Sequence, residues 1–410
     1  MVNKYLSLSQ SGFRKGRSTS DAVFAHRWMV AKSMHFRNQE THILGIDLSK
    51  AFDTINRAKL FKVLQTFIPD DEVKIIRLLL TDTSLSVIHG TSEQDPFQTN
   101  IGSPQGDSLS PILFNIYLEA ALRDLWKKLP EVPFETLLQI IYADDCDFIG
   151  DPQHLQLIQD RAPAILKEWS LFMNPDKTEH TTILRSTDPN VEKDWRHVRK
   201  LGSLLGDRED VSKRKQLAGV AFHKMWRLWF RDHLVPEDIR LKLYNAMVLP
   251  ILLYNCGTWG LTAKDVEQLD SFHRKQLRCI LRMHYPHKIS NAQLYKRTNS
   301  EPIRYTLVKR RWSLLGHILR LPPGVPANVT MKEYYILYNN KRKHKRFRGP
   351  RRTSLPTVLK ADLEKLNDSS YQLKKLSDLE KLRCIAADKS KWRNLRDRVV
   401  TAAKQQATTK

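Results

Sequence analysis

The sequence predicts an α+β fold followed by a largely helical second half, on three observations. Short apolar runs of strand length, residues 43–48 and 181–184 among them, alternate with amphipathic helical stretches up to about residue 208. Two such runs, Ile140-Ile141-Tyr142 and Cys146-Asp147-Phe148-Ile149, are separated only by Ala143-Asp144-Asp145, which reads as a β-hairpin with two carboxylates at its tight turn. From about Asp210 the period becomes that of long helices and stays so.

Asp144 and Asp145 are the first candidates for chemistry. Adjacent anions repel, so a cation is expected between or beside them. Hard oxygen donors suit Mg²⁺, which keeps several waters and is readily shared with substrate phosphates. An Asp-Asp pair on a turn is by itself more often a solvated turn signal. It needs support from the rest of the chain.

Composition supplies some. The 410 residues can bury a sizeable core in two or three domains. A formal charge of +24 points to a polyanionic partner, nucleic acid before membrane. Cys146, Cys256, Cys279 and Cys384 are scattered without metal or disulfide spacing and fit a reducing compartment. No signal peptide opens the chain, and the longest apolar run, residues 246–254, is too short to span a bilayer. An intracellular location, nucleus or cytoplasm, is expected.

Residues 10–22, Gln10-Ser11-Gly12-Phe13-Arg14-Lys15-Gly16-Arg17-Ser18-Thr19-Ser20-Asp21-Ala22, join two glycines to three cations and lead into a helix that Ser18 or Thr19 can cap. A basic, glycine-hinged approach to a helix N-terminus can hold a phosphate, or be an ordinary cap. The strand at 43–48 is interrupted by Asp47. A carboxylate in a buried strand is costly unless it is paired or binds a metal, so Asp47 is a stronger ligand candidate than a surface acid. Asp53 is weaker and reads equally as a cap for the helix at 56–67. A helix at 70–80 and strands at 85–89 and 96–101 follow. Then Gly102-Ser103-Pro104-Gln105-Gly106-Asp107 forms a turn, where backbone near Gly106 can approach a ligand with no Cβ in the way. An amphipathic helix continues to 129.

Beyond the hairpin, a helix at 152–172, a turn at Asn174-Pro175-Asp176-Lys177-Thr178 and a second short hairpin on Leu201-Gly202-Ser203 are expected. The helices at 211–233, 236–247, 262–283 and 302–321 interleave Lys and Arg with Trp226, Trp229, Trp259, Phe272 and Trp312. At helical spacing these aromatics read first as core, and second as platforms for stacked bases. The dense run at 341–352 reads as a linker that contacts phosphates through Lys341, Arg342, Lys343, Lys345 and Arg346.

In this order the stretches resemble the reverse transcriptases of non-LTR, LINE-type retrotransposons. Residues 10–21 resemble the family's "GFR-x-GR-ST" block, 46–53 motif A, 102–111 motif B, 142–145 motif C, 174–178 motif D and 201–203 the primer grip. Leu253-Tyr254 with Trp259, Leu315-Gly316-His317 with Arg320, and Trp392-Arg393 are similar to the region after the thumb. The resemblance implies a right-hand palm, an antiparallel sheet with helices on one face, followed by a helical thumb and C-terminal region. It implies partial fingers and palm over 1–208, thumb and post-thumb over 209–335, a basic linker at 336–356 and a helical tail at 357–410. Asp47, Asp144 and Asp145 would hold two Mg²⁺ ions, with Mn²⁺ as an alternative. Phe52 would be the steric gate against ribonucleotides, Gln105 and Gly106 would line template and nucleotide, and Lys177 would lie near the triphosphate. Arg14 and Arg17 would contact nucleic acid. The implied partners are an RNA template, a DNA primer and deoxynucleoside triphosphates.

Departures from the family carry their own expectation. The chain opens almost at the "GFR" block, so the fingers Lys and Arg that clamp the triphosphate are expected to be missing. No endonuclease precedes the palm and no Cys/His knuckle follows. The leading expectation is therefore an RNA-directed DNA polymerase impaired by truncation, and the alternative an inactive nucleic-acid-binding remnant. Phe52 argues against an RNA-dependent RNA polymerase, and the region after Asp210 against a group II intron maturase.

Overall fold

The computed structural model describes residues 1–186, 188, 191, 194–340, 345–347 and 352–408. It divides into two compact units: Met1–Ala22, Thr41–Thr182 and Gly324–Pro326 form the first, and Val23–Glu40, Ile183–Pro323 and Ala327–Lys410 the second.

Along the first unit run α1 (Val2–Tyr5), the start of α2 (Thr19–His35), β1 (Thr41–Ile46), β2 (Leu48–Ser49), α3 (Arg57–Leu64) and α4 (Asp70–Leu80). Then come β3 (Thr83–Leu85), β4 (Ile88–His89), β5 (Ser92–Glu93), β6 (Phe97–Thr99), α5 (Ser110–Lys128), β7 (Leu138–Tyr142), β8 (Asp145–Gly150), α6 (Pro152–Glu168), β9 (Phe172–Met173) and β10 (Glu179–Ile183).

The sheet at its centre has the order β10-β1-β8-β7. β8 lies antiparallel to both neighbours, with Ile46 opposite Cys146 and Tyr142 opposite Asp145. Leu44, Ile46, Ile141, Cys146 and Phe148 share one core with Phe114, Tyr117 and Leu118 of α5 and Leu155 and Ile158 of α6. Ile43, Ile140 and Ile149, which alternate with those residues, are buried as well. The sheet is thus covered on both faces, which explains why its strands read as continuous apolar runs rather than alternating ones.

Local chemistry sets the element boundaries. Asn56, not Asp53, caps α3, its side chain accepting from the Lys59 amide at 3.0 Å. Asp151 caps α6 through the Gln153 amide, with Pro152 preset in the first turn. The strands expected at 85–89 and 96–101 are instead two nested ladders, β3 with β6 and β4 with β5, closed at Gly90. Beneath them Arg57 is buried, donating to the carbonyls of Leu80, Thr99, Ile101 and Gly102 and to the Thr83 hydroxyl. With five acceptors and, among the described residues, no carboxylate partner, it is a strut rather than an ion pair.

The second unit is mainly helical. A hairpin of β11 (Arg199–Lys200) and β12 (Ser203–Leu204) turns through Leu201 and Gly202, both at positive φ. Asp210, fully buried, accepts from the Leu204 amide at 3.0 Å and the Trp259 indole at 2.8 Å, with Arg27 and Arg214 beside it. Tyr254 donates to the Leu201 carbonyl and Asn255 to the Ser203 hydroxyl, so the turn is held from two sides. Trp259 and Trp312 are core, as the first reading expects, whereas Trp229 is 47% exposed. The last stretch forms three helices, Leu355–Glu364, Leu376–Ala387 and Lys389–Thr408, and these join the unit's interior: Asp362 accepts from Arg311 and Trp312, and the Trp392 indole donates to the Trp312 carbonyl at 2.9 Å.

Candidate active site

Asp47 is not inside a buried strand, as expected, but at a strand break. β1 ends at Ile46, the Asp47 carbonyl accepts from the Asn174 amide at 2.9 Å, and β2 then pairs with β9, Leu48 opposite Met173. Its side chain is 30% exposed. Sitting where one ladder hands over to another leaves the carboxylate partly in water and so lowers the desolvation cost that an interior strand position imposes.

Asp144 occupies the expected turn. Ala143 precedes it in the left-handed region, and Asp145 begins β8 as an exposed residue. The register that sets Ile46 opposite Cys146 brings Asp47 beside this turn, although 144 − 47 = 97 positions separate it from Asp144 in the chain. The Asp144 carboxyl is held above its ordinary range. Burial is the main cause, a hydrogen bond from its own backbone opposes it, Asp47's charge raises it further and Lys177's lowers it.

Lys177 arrives through a turn made by Asn174, whose side chain accepts from the Asp176 amide and whose carbonyl accepts from the amides of Lys177 and Thr178. Its ammonium lies 3.6 Å from Asp47 Oδ2. Between partly exposed groups such a pair contributes at most about 1 kcal/mol, so the lysine is free to leave it. The donor set fits a divalent ion: hard carboxylate oxygens, one of them on a carboxyl whose pKa is raised chiefly by burial and further by its neighbour's charge, with an ammonium beside them. Among the described residues no three acidic, His or Cys side chains converge into a cage. Asp47 and Asp144 would offer a partial shell of the kind that Mg²⁺ completes with water and phosphate oxygens.

Phe52 stacks on Phe114 at 4.3 Å between centroids and meets the edge of Phe13 at 6.2 Å, while remaining partly exposed. The Phe52 carbonyl accepts from the Ser103 amide and the Ile55 carbonyl from the Gly102 amide, which fastens the glycine-rich turn to the loop after Asp47. A Cβ on Gly102 would lie 2.7 Å from the Asp53 carbonyl oxygen. Gln105 donates to Asp53 Oδ1 at 3.0 Å, so Asp53, read earlier as a cap, instead orients Gln105. Gly106 has φ +92 and faces open space.

The basic candidates divide. Arg14 donates to the carbonyls of Asn3, Ser7 and Gln10, and burial lowers its pKa; it straps the opening segment together. Arg17 is half-buried beside it, its pKa lowered first by burial and then by Arg14. Lys345 and Arg346 belong to the second unit, where the Lys345 carbonyl accepts from the Arg37 amide and the Arg346 guanidinium lies 3.7 Å over the Tyr338 ring. Lys341, Arg342 and Lys343 fall outside the described residues.

Sequence reasoning missed Gln10, buried and hydrogen-bonded to both backbone groups of Ala143. Its only signal was its place at the head of the "GFR" block.

Residues 1–217 match the family "Reverse transcriptase (RNA-dependent DNA polymerase)". The chain is 24% identical over 270 residues, 62% of itself and 44% of the relative, to a Pol polyprotein from the type-1 retrotransposable element R2 of Popillia japonica. It is 24% identical over 350 residues, 77% of itself and 38% of the relative, to a probable RNA-directed DNA polymerase from transposon BS of Drosophila melanogaster. The chain thus spans less than half the length of these curated relatives. Among solved structures, a telomerase from Candida albicans in complex with a fragment of telomeric RNA overlaps 80% of this chain and 53% of its own at 12% identity, with a TM-score of 0.42.

Proposed function

The chain belongs to the reverse transcriptase (RNA-dependent DNA polymerase) family, and from that premise we propose that it is the polymerase core of a non-LTR retrotransposon, extending a DNA primer along an RNA template with deoxynucleoside triphosphates. The observation that carries the reading is the meeting of Asp47 and Asp144 across 97 residues, beside Lys177.

Asp47 and Asp144, with Asp145 alongside, are the residues that would hold two Mg²⁺ ions. Bound there, the ions supply charge neutralisation at the phosphate being transferred. The chain's own groups divide the remaining work. Lys177, loosely held at Asp47, offers an ammonium to the pyrophosphate and, as a general acid, a proton to it. The Phe52 ring, backed by Phe114, fills the space that a 2′-hydroxyl needs. Gly106 lets backbone approach the nucleotide, and Gln105 is aimed by Asp53.

Primer extension tests this. Asp144→Asn should abolish Mg²⁺-dependent synthesis and leave the Kd for an RNA–DNA hybrid within about twofold, because phosphate contacts made by Lys and Arg dominate that affinity. Loss of both together in a folded variant would refute the division of roles. One observation favours a second reading, a chain that binds hybrid but extends it poorly: Arg14, a cation that a triphosphate clamp could recruit, is occupied by three internal carbonyls. Robust extension by residues 1–410 would rule that reading out.

A further inference from the structure

We infer that Gln10 is a positioning residue for Asp144: its side-chain amide fixes the turn from which that carboxylate projects. The inference rests on the polymerase reading for its catalytic meaning, and on hydrogen bonds alone for its structural part.

The turn between β7 and β8 has to be held in place. It is short, and Ala143 stands at φ +55, a left-handed conformation that costs a residue with a Cβ about 1–2 kcal/mol. Both backbone polar groups of Ala143 go to one side chain. Gln10 Oε1 accepts from the Ala143 amide at 2.9 Å and from the Gly12 amide at 2.7 Å, and Gln10 Nε2 donates to the Ala143 carbonyl at 3.3 Å. Gln10 is 3% exposed, so water cannot stand in for it. The two N–H groups facing Oε1 also settle which way the amide points.

Gln10 is itself aimed by a fixed frame. The Ser11 amide donates to the Ile141 carbonyl at 2.8 Å and the Ile141 amide to the Ser9 carbonyl at 3.1 Å, a parallel bridge that lays this segment along β7. Gly12 can close the gap because it has no side chain: a Cβ there would lie 2.4 Å from the Ala143 nitrogen. From the other side Asn115 of α5 donates to the Gly12 carbonyl at 2.8 Å. The line Asn115, Gly12, Gln10, Ala143 therefore ends one residue short of Asp144, within a single unit.

A carboxamide meets the requirement and its neighbours in chemistry do not. Two N–H groups need an acceptor, and one carbonyl needs a donor on the same side chain. Glutamate would keep the acceptor, lose the donor and bring a buried charge towards Asp144; methionine would fill the space and make none of the bonds.

The test uses the full chain with Gln10→Met and Gln10→Glu. Hydrogen exchange is followed on the peptide covering residues 140–146, with extension kinetics and Mn²⁺ affinity by paramagnetic resonance in parallel. Expected for Gln10→Met are at least tenfold faster exchange in that peptide with α5 unchanged, a maximal extension rate at least tenfold lower with hybrid Kd within twofold, and weaker Mn²⁺ binding. Gln10→Glu, retaining the acceptor, should recover most of the exchange protection. Unchanged exchange in Gln10→Met would overturn the inference. So would faster exchange with an unaltered extension rate and metal affinity, since the turn would then be held to no catalytic end. If the wild-type chain shows no synthesis, the polymerase reading fails, while exchange and Mn²⁺ affinity still decide whether Gln10 sets the carboxylate.

Discussion

Gly316→Ala should destabilise the second unit even though alanine is the better helix former. Gly316 lies within the helix Ile303–Arg320, and an added Cβ would sit 1.9 Å from Trp392 Nε1 and 2.4 Å from its Cδ1 and Cε2. The indole cannot step back, because it is 3% exposed and its N–H donates to the Trp312 carbonyl. Replacing an interior helical glycine by alanine is favourable by about 1 kcal/mol. Against that, overpacking costs about 1–3 kcal/mol, and breaking a buried N–H bond adds about 1–3 more. The net expectation is a loss of about 3 kcal/mol. A second background makes the reasoning falsifiable. With Trp392→Ala, itself costing about 3–5 kcal/mol, the clash has no partner, and Gly316→Ala should turn neutral or stabilise by up to about 1 kcal/mol. Urea unfolding of the four proteins measures this, read on the transition that Trp392→Ala itself moves. Equal losses from Gly316→Ala in both backgrounds would refute the clash as the cause.

Two further substitutions probe other parts of the molecule. Phe52→Val removes the ring stacked on Phe114 and should raise ribonucleotide incorporation relative to deoxynucleotide; an unchanged ratio in competition assays would make Phe52 a core residue only. His273, 2% exposed and hydrogen-bonded to the Tyr244 hydroxyl, is pushed down from 6.5 to about 4, by burial first and by Arg274 second. The unfolded chain then takes up the proton first, so this contribution to stability is complete above about 6.5 and drains away as the pH falls towards about 4. The interval of about 2.5 units corresponds to about 3 kcal/mol. His273→Leu should flatten the acid limb of a stability profile, and a limb of unaltered slope would place its origin elsewhere.

What local pattern can encode was legible in the sequence. The helix expected at 70–80 is Asp70–Leu80, the hairpin at Asp144 forms with Asp145 opening β8 rather than sharing the turn, and Leu201-Gly202 adopts the paired positive φ values that a tight hairpin needs. Pairings made far along the chain were not legible. The break at Asp47 depends on β9, more than a hundred residues later, and apolar spacing around 43–48 holds no trace of it. Helical periodicity likewise could not separate Trp259, whose indole is claimed by Asp210, from exposed Trp229. The family resemblance grouped Gly316 with Trp392 without a reason, and the reason is steric. Gln10 went unread because a neutral amide signals nothing until its partners are known.

The seating of Trp392 on the helix Ile303–Arg320 also sets a timetable for the newborn chain. Trp392 leaves the ribosome 80 residues after the Trp312 whose carbonyl it binds, an interval of about 4–16 s at ordinary rates of synthesis. During that interval the groove at Gly316 stands open, available to chaperones, proteases or another nascent chain. A reading frame stopped anywhere before Trp392 releases a polypeptide whose groove never closes. Nonsense codons late in the message should therefore deplete the protein nearly as much as those in its middle, with Asp47 and Asp144 untouched.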